Sequence, residues 1–471
     1  MELLTNAYSA ENFRRQAHDL VDQLAGYLQS AQDQTLSTVI PYQSPDENYR
    51  YWQADFAEGS GDLNAFFNEV ISRSTHLHHP RYMGHQVAPP LPVAALAGLL
   101  SGLLNNGMAV YEMGLVSNPL ERIVSELLAQ RIGFDPQTSS GLLTSGGTLA
   151  NLTALLAARA VHAPTVWQAG SSEKLAIMVS EEAHYCVDRA ARIMGLGTGG
   201  IIKIPVNDRF QMRTELLGDY FRQAQADGLR VFAVVASACS TSTGAYDTIP
   251  PIADFCEKNG LWLHVDGAHG GAVVFSEQYR HLVTGINRAD SVVVDWHKML
   301  MVPALATALV FRRNKDAFQT FHQQAQYLWA DQQSTDWFNS GKRTFECTKL
   351  MMSVKIYAIL KTYGEKILAE NIERLHSLAQ YFAGAVASAP DFTLALWPES
   401  NIVCFRYQPE NDMAAVNERN SLIRQRLLAE GRFYIVQTTL NGAVYLRVSI
   451  MNPLTTTHDL DALLTEIRGM V

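Results

Sequence analysis

Several features that define other classes of protein are scarce or absent in this sequence. The 471 residues contain five cysteines, scattered without a Cys-x-x-Cys motif, which predicts reduced thiols in a cytoplasmic protein. Residues 1–20 have no apolar core, so we expect no secretory signal peptide. The most apolar stretch, residues 87–104, is interrupted by Pro89, Pro90 and Pro92, which predicts a buried segment rather than a membrane span.

Basic residues are also fewer than acidic residues. Lysine and arginine total 37 against 46 aspartates and glutamates, a formal net charge of −9, whereas binding to nucleic acid requires clustered lysine and arginine. We therefore expect no nucleic-acid partner. An apolar content of 47% with 18% charged residues is typical of a globular chain. The length exceeds that of one ordinary core, so two or three subdomains are expected.

Helix-like and strand-like segments alternate from residue 94 onwards, which predicts an α/β protein. Most strand candidates are apolar on both faces, as expected for a sheet that helices cover on each side. The strand candidates are residues 174–180, 201–205, 231–237, 261–266, 291–295 and 306–311, with helices between them at 148–161 and 249–259.

The two ends of the chain have different patterns. Amphipathic helices are predicted at residues 11–30 and 63–72. The aromatic-rich stretch 323–341 has no periodicity, which is typical of a lid or a disordered loop. Helices follow over 350–388 with a break at Gly364. A compact α/β tail is predicted from strands near 392–396, 402–407, 433–437 and 444–450 and helices at 414–430 and 457–470.

The turn Ser145-Gly146-Gly147-Thr148 opens a predicted helix. Glycines let backbone N–H groups approach an anion, and the helix N-terminus adds partial positive charge. Thr148 can add a hydroxyl donor, although an ordinary helix cap after a glycine turn would explain the same residues. The segment Gly195–Gly200 matches the G-x-G-x-x-G dinucleotide motif, but it follows a helix and precedes a strand, the reverse of the required order.

Two charged side chains end neighbouring apolar strands. Asp266 can hold a pyridine nitrogen in its cationic form, because a carboxylate attracts the positive charge. Lys298, if desolvated, has a lowered pKa and can form an imine with an aldehyde. Each has a common alternative, a turn-forming aspartate and a surface lysine. Their separation of about one β-α-β unit lets both lie at nearby strand ends, which predicts pyridoxal phosphate held by Lys298 as a Schiff base.

Two histidine segments are further candidates. His184 can stack on a cofactor ring or can be an ordinary residue at a helix start. The segment His76-Leu77-His78-His79 lacks a carboxylate or a helical His pair at ligand spacing, so we predict a structured turn there and no metal site. Lining of a substrate pocket is the other interpretation of that segment.

The residue patterns at 145–151, 182–184, 264–269 and 290–298 together resemble the group II pyridoxal-phosphate-dependent amino-acid decarboxylases, which include the glutamate, aromatic amino-acid, cysteine sulfinate and 2,4-diaminobutyrate enzymes. The resemblance extends from about Phe13 to the C-terminus. It implies pyridoxal-phosphate fold type I, like aspartate aminotransferase, with a mostly parallel seven-stranded sheet in the large domain. It also implies a homodimer with active sites at the subunit interface.

The resemblance further implies a division into domains. Residues 1–90 would be a helical segment that packs on the partner subunit. Residues 91–349 would form the large cofactor-binding domain, with a mobile catalytic loop at about 323–341, and residues 350–471 the small C-terminal domain.

Roles for individual residues follow from the same resemblance. Lys298 matches the Schiff-base lysine, Asp266 the partner of the ring nitrogen, and His184 the ring-stacking histidine. Tyr327 matches the loop tyrosine that protonates the product carbanion, so these four are the predicted catalytic residues. Further cofactor contacts are implied for Gly147, Thr148, Thr241, Ala268, Ser291, Asp295 and His297, and substrate contacts for Arg447 and His85.

The sequence departs from the family pattern at four of these or adjacent positions. Asp295 stands where related proteins often have asparagine, and His85 stands near the position where the glutamate enzymes have glutamine. His269 stands where an aromatic residue is more usual, and Ala304 is smaller than the apolar residue of the family pattern. Glu112 could repel an acidic substrate, attract a diamine or face a partner subunit.

The expected reaction is decarboxylation of an L-amino acid to an amine and CO₂. An aldehyde synthase or an aminotransferase would use the same cofactor residues, and a non-catalytic scaffold is a further alternative. Analysis of CO₂, amine, aldehyde and ammonia distinguishes these alternatives.

Overall fold

The computed structural model describes residues 2–59, 61–321 and 336–470. The chain divides into two compact units. The larger unit comprises Gln86–Ser377 and Pro398–Ile402, and the smaller unit comprises Met1–His85, Leu378–Trp397 and Val403–Val471. These bounds differ from the predicted divisions at residues 90 and 349.

The helices and strands are numbered in chain order. The helices are α1 (Glu2–Ala7), α2 (Ala10–Gln32), α3 (Pro45–Glu58), α4 (Leu63–Arg73), α5 (Pro92–Leu104), α6 (Ser117–Ile132), α7 (Gly147–His162), α8 (Val166–Ala169), α9 (Tyr185–Ile193), α10 (Leu217–Ala226), α11 (Ile249–Asn259), α12 (Met352–Tyr363), α13 (Lys366–Ser388), α14 (Met413–Glu430) and α15 (Thr457–Gly469). The strands are β1 (Ser140–Thr144), β2 (Lys174–Ser180), β3 (Ile201–Ile204), β4 (Leu229–Ser237), β5 (Trp262–Asp266), β6 (Ser291–Asp295), β7 (Thr307–Phe311), β8 (Phe392–Leu394), β9 (Ile402–Tyr407), β10 (Val436–Leu440) and β11 (Ala443–Ser449).

A seven-stranded sheet forms the centre of the larger unit, in the order β1-β7-β6-β5-β4-β2-β3. Strands β6, β5, β4, β2 and β3 are parallel, and β7 runs antiparallel to both of its neighbours. The mostly parallel seven-stranded sheet was predicted from the sequence, and it is confirmed.

Helices cover both faces of this sheet. On β2, Leu175, Ile177 and Val179 pack in one apolar cluster with α7 and α9. The alternating Ala176 and Met178 point to the opposite face and are also fully buried. Burial on both faces explains why the central strands are nearly continuous apolar runs.

The strand ends bring distant residues together. Because β7 is antiparallel to both β1 and β6, strand β1 runs in the same direction as the parallel set. The carboxyl ends of β1, β2, β4, β5 and β6 therefore share one edge of the sheet, where ligands of such sheets bind. The predicted anion turn follows β1, and Asp266 and Asp295 end β5 and β6.

The N-terminal and C-terminal segments fold together in the smaller unit. Val39 N–H donates to Gly431 C=O at 2.7 Å, and Met83 N–H donates to Tyr434 C=O at 2.9 Å. This unit contains a four-stranded sheet in the order β10-β11-β9-β8, with α14 against β11. Packing of residues 1–90 on a partner subunit stays a prediction.

The boundary near residue 350 also differs for a physical reason. Helix α12 packs against α5 and α6 of the larger unit, so the unit continues beyond the expected end at 349. This chain by itself does not bury much of α5, which falls within the predicted buried segment 87–104, because Leu96, Leu99, Leu100, Leu103 and Leu104 are exposed. None of the helices among the described residues combines the length and hydropathy needed to cross a membrane.

Candidate functional site

The shared strand edge of the larger unit carries a cavity of about 280 Å³. This volume is close to the lower end of the range for small-molecule sites, about 300 to 1,000 Å³. The cavity collects most of the predicted cofactor contacts from separate segments of the chain. Those that line it are Gly147, Thr148, His184, Thr241, Asp266, Ala268, Asp295, His297 and Lys298.

Lys298 forms an ion pair inside this cavity. Its Nζ lies 3.1 Å from Asp295 Oδ2, and Asp295 Oδ1 accepts a hydrogen bond from the Thr307 hydroxyl. Burial lowers the pKa of Lys298, but the attraction of Asp295 and Asp266 outweighs it and raises the pKa above its ordinary value. The sequence-based expectation of a lowered pKa for this amine is therefore wrong, because Asp295 compensates its charge.

The start of α7 forms one wall of the cavity. Gly146 precedes the helix with φ of +132°, a backbone conformation that favours glycine. A Cβ on Gly147 would lie 3.4 Å from Ala268 Cβ and from Asp295 Oδ1, so the glycine leaves a shallow cradle. Among the described residues no side chain caps this helix, and the first N–H groups of a helix have no acceptor within it. The predicted anion site is supported more strongly than an ordinary capped turn.

Asp266 and His184 line another part of the cavity. Asp266 is 8% exposed, and its carboxylate accepts hydrogen bonds from Ala268 N–H and Asn151 Nδ2, both at 3.1 Å. His184 is the N-cap of α9, and its Nδ1 accepts from Cys186 N–H at 3.3 Å. Burial lowers the pKa of His184, which favours a neutral ring suited to stacking on an aromatic cofactor.

Ser291 does not have the expected position. It is fully buried and is not among the described residues that line the cavity. Its hydroxyl oxygen accepts from Trp262 Nε1–H at 2.9 Å and lies 2.8 Å from His264 Nδ1. His264 Nε2 lies 2.7 Å from Asn151 Oδ1. Ser291 opens β6 in register with His264, two residues before Asp266 on β5, and is connected to the Asp266 carboxylate through His264 and Asn151.

Other lining residues had not been predicted. Asn151 lies four residues after Gly147, one turn along α7, and this helical spacing could have revealed it. The cavity is also lined by Cys186, Ser237, Cys239 and Ser240. Burial raises the pKa of both cysteine thiols to about 12, so they are neutral at physiological pH and add no charge to the site.

The predicted substrate residues Arg447 and His85 belong to the smaller unit. Arg447 is on β11 and is 8% exposed. Burial lowers the pKa of His85, and the cations Arg447 and Arg424 lower it further. The His85 ring lies 5.8 Å from the ring of Tyr434, which Arg424 overlies at 5.4 Å. We refer to His85, Arg424, Tyr434 and Arg447 as the cationic cluster.

The predicted catalytic tyrosine lies outside the described residues. Tyr327 falls within residues 322–335, so its position stays a prediction. The described end of the predicted loop is anchored to the larger unit, since Gly341 N–H donates to Ala109 C=O and Tyr111 N–H donates to Asn339 Oδ1, both at 3.0 Å.

The histidine cluster near residue 76 has the features of a turn. His79 Nδ1 accepts from Arg81 N–H at 3.1 Å, and burial lowers the pKa of His79 to about 4. In the part of the chain that the structure describes, no three His, Cys, Asp or Glu side chains converge as metal ligands.

The residues of the cavity fit a phosphorylated pyridine aldehyde. Lys298 supplies an amine, Asp266 a buried carboxylate and α7 an uncapped helix start, and all three line one cavity. The cradle left by Gly147 gives an anion close access to backbone N–H groups. Pyridoxal phosphate requires these three groups: an amine at its aldehyde, a carboxylate at its ring nitrogen and backbone N–H groups at its phosphate.

Comparison with known proteins gives consistent results. Residues 62–408 match the pyridoxal-dependent decarboxylase conserved domain. The chain is 31% identical to human cysteine sulfinic acid decarboxylase over 416 residues, 85% of this chain and 84% of that protein. It is 29% identical to an L-aspartate decarboxylase of Metarhizium robertsii, over 86% of this chain and 82% of that protein.

The fold is similar to that of a solved relative. A crystal structure of mouse CSAD superposes with a TM-score of 0.90 at 25% sequence identity, covering 98% of this chain and 99% of that chain. The expected fold type I is therefore confirmed, and pyridoxal phosphate is the cofactor. Because the fold, the cavity and the match over residues 62–408 agree, this chain belongs to the pyridoxal-dependent decarboxylase family and is an enzyme that decarboxylates an amino acid.

Proposed function

We propose that Lys298, Asp266 and the start of α7 hold pyridoxal phosphate for the decarboxylation of an L-amino acid. The observation that carries this assignment is that Asp266, at the end of β5, and Lys298, three residues after the neighbouring parallel strand β6, line one cavity with Gly147. When bound, the cofactor supplies an electron sink for the electron pair left by the departing carboxylate. The chain supplies the positioning and the charges that make this sink effective.

In this proposal each cavity residue takes the role that the family resemblance implies. Asp266, fixed by two hydrogen bonds, holds a proton on the ring nitrogen by charge attraction. His184 stacks on the ring. Gly147, Thr148 and His297 contact the phosphate, and Thr241 and Ala268 leave room beside the ring. Lys298 would hold the cofactor aldehyde through its side-chain amine.

The proton that completes the product comes from Tyr327 in this proposal. A phenol on a closing loop can deliver a proton to Cα while water is excluded. Protonation at Cα gives the amine, whereas protonation at the cofactor would give an inactive aminated form. The role comes from the match of residues 326–329 to the family's catalytic loop.

The cationic cluster supports an acidic amino acid as the substrate. Arg447, Arg424 and His85 concentrate positive charge or hydrogen-bond donors in one place, and an arginine fork suits a carboxylate. The relatives named above act on aspartate and on cysteine sulfinate. In this proposal Arg447 holds a substrate carboxylate and His85 lies beside it.

A homodimer is also part of the proposal. The five exposed leucines of α5, from Leu96 to Leu104, form an apolar surface that a second subunit would cover. All five cysteines are among the described residues and none forms a disulfide, and four of them are buried, which supports a reducing, cytoplasmic location. Sedimentation equilibrium tests the dimer, and cell fractionation tests the location.

Borohydride trapping tests the cofactor assignment. Reduction of the loaded enzyme should fix the cofactor to Lys298, as peptide mass spectrometry reports, and Lys298→Ala should remain unlabelled. Lys355→Ala is a matched control, since this half-buried lysine donates to Pro303 C=O and does not line the cavity. Labelling at another lysine would overturn the assignment.

A substrate screen tests the acidic class. Aspartate, glutamate and cysteine sulfinate are compared with 2,4-diaminobutyrate and aromatic amino acids, and asparagine serves as the uncharged match for aspartate. Preference for asparagine or for a diamine over aspartate would contradict the proposal.

A further inference from the structure

We propose that His264 and Asn151 are positioning residues, part of a buried hydrogen-bond relay that holds the Asp266 carboxylate toward the cofactor ring nitrogen. The relay runs Trp262, Ser291, His264, Asn151, Asp266. This inference rests on the role proposed above for Asp266. None of the predicted roles included His264, Asn151 or Trp262.

The geometry of the relay is continuous. Trp262 Nε1 lies 2.9 Å from Ser291 Oγ, and Ser291 Oγ lies 2.8 Å from His264 Nδ1. His264 Nε2 lies 2.7 Å from Asn151 Oδ1, and Asn151 Nδ2 lies 3.1 Å from Asp266 Oδ2. Ser291, His264 and Trp262 are fully buried, and Asn151 is 1% exposed, so water does not compete for these bonds.

The two ends of the relay determine the direction of every bond in it. A carboxylate only accepts, so Asn151 presents its amide nitrogen to Asp266 and its oxygen to His264. His264 must then carry its proton on Nε2. At the other end, an indole N–H only donates, so Ser291 accepts from Trp262. The Ser291 hydroxyl then donates to His264 Nδ1, so the three inner members, Ser291, His264 and Asn151, each accept one hydrogen bond of the relay and donate the next.

Charge along the relay is consistent with this ordering. Burial lowers the pKa of His264 to about 4, so the imidazole is neutral and does not compensate the charge of Asp266. The neighbouring Cys186 thiol, 3.3 Å from Asn151 Nδ2, has a pKa raised by burial to about 12 and is also uncharged. The negative charge of Asp266 therefore remains available to the ring nitrogen.

The relay can be tested with a cofactor analogue. A carbocyclic form of pyridoxal phosphate, with C–H in place of the ring nitrogen, keeps the aldehyde and phosphate. It has no ring nitrogen to be protonated and so cannot form the ion pair with Asp266. The ratio of the two dissociation constants, measured by titrating apoenzyme, isolates the contribution of the ring nitrogen. The native enzyme should prefer the natural cofactor.

His264→Phe should reduce that preference about tenfold, because Asp266 loses its orientation, while binding of the carbocyclic analogue stays the same. The ¹⁵N shift of labelled cofactor should move toward the unprotonated ring nitrogen. His264→Gln can donate to Asn151 and should restore part of the preference. Asn151→Leu should reduce the same ratio of dissociation constants and serves as the second variant if the phenylalanine does not fold; since Asn151 lines the cavity, only the ratio is compared in that variant.

Two controls separate the possible causes. His376→Phe removes another fully buried imidazole, whose Nδ1 lies 2.8 Å from Ile372 C=O, and should leave the ratio unchanged. Equal weakening of both cofactors in His264→Phe would mean a merely structural role and would overturn the relay. If Asp266→Asn itself leaves the ratio unchanged, the proposed role of Asp266 fails. If Asp266→Asn abolishes the preference and the relay variants do not, only the relay fails.

Discussion

Replacing Asp295 by asparagine should accelerate attachment of the cofactor to the enzyme. The Lys298 ammonium lies 3.1 Å from Asp295 Oδ2, and only a neutral amine attacks an aldehyde. At that distance and an effective dielectric constant of about 20, the attraction is about 5 kcal/mol before desolvation is counted. Since opposite charges this close typically shift a pKa by about one to three pH units, Asp295→Asn should lower the pKa of Lys298 by a similar amount.

The sign of the effect on rate follows from the protonation state. The pKa of Lys298 is raised in the native protein, so at neutral pH the amine is mostly charged. Each pH unit by which Asp295→Asn lowers that pKa increases the neutral fraction about tenfold. Stopped-flow mixing of apoenzyme with pyridoxal phosphate, followed by visible absorbance, should give a faster reaction. The pH profile of the rate should move down by about one to three units.

A second effect of the substitution must be separated from the first. Asp295 also lies close to Gly147, so removing its charge could favour binding of the phosphate. Pyridoxal without the phosphate lacks that contribution, and its attachment should still be faster in Asp295→Asn. Asp254→Asn, an exposed carboxylate paired with Arg288, is the matched control. An unchanged pH profile with pyridoxal would refute the assignment of Asp295 as the group that keeps Lys298 charged.

Substitutions at three further residues test the remaining assignments. Tyr327→Phe should lose amine formation and gain aldehyde, measured by product chromatography, because Cα no longer receives its proton and the substrate nitrogen stays on the aminated cofactor, so the aldehyde formed should not exceed the cofactor present. Arg447→Met should raise the KM for an acidic substrate about ten- to hundredfold through loss of charged hydrogen bonds, without a change in cofactor affinity. Gly147→Val should weaken cofactor binding, measured by absorbance titration, because its side chain fills the cradle. Gly147→Ala should bind nearly normally, since its Cβ meets only ordinary contacts at 3.4 Å.

Each of these predictions has a control and a contradicting result. Tyr363→Phe, at an exposed tyrosine, should leave the products unchanged, and normal amine output from Tyr327→Phe would end the proton-donor assignment. Arg468→Met removes an arginine paired with Asp391, and an equal rise in KM there would argue against a specific role for Arg447. Equal cofactor affinity in the two Gly147 variants would contradict the cradle.

The buried strands could be predicted well because their pattern is strong. Strands β2 and β6 have the predicted bounds, 174–180 and 291–295, since runs of valine, isoleucine and leucine are buried on both faces. Strand β1 was missed because Ser140–Thr144 is short and contains glycine instead of β-branched residues. Strand β10 begins at Val436 rather than 433, a boundary that depends on pairing with β11.

The site could be predicted only as far as its residues carry recognisable motifs. Gly147, His184, Asp266 and Lys298 all line the cavity as expected. The raised pKa of Lys298 and the burial of Ser291 beside His264 depend on contacts between segments far apart in the chain. Exposure of the α5 leucines could not be inferred either, because an apolar run gives the same pattern whether it is covered by its own chain or by another.

The discontinuous construction of the smaller unit has a consequence for biosynthesis. Val39 and Met83 donate to the backbone carbonyls of Gly431 and Tyr434, so these two residues leave the ribosome long before their partners are made. At about 5 to 20 residues per second, that delay is roughly 20 to 80 seconds. During this interval Val39 and Met83 lack these native hydrogen bonds, whereas residues 86–377 of the larger unit can begin to fold.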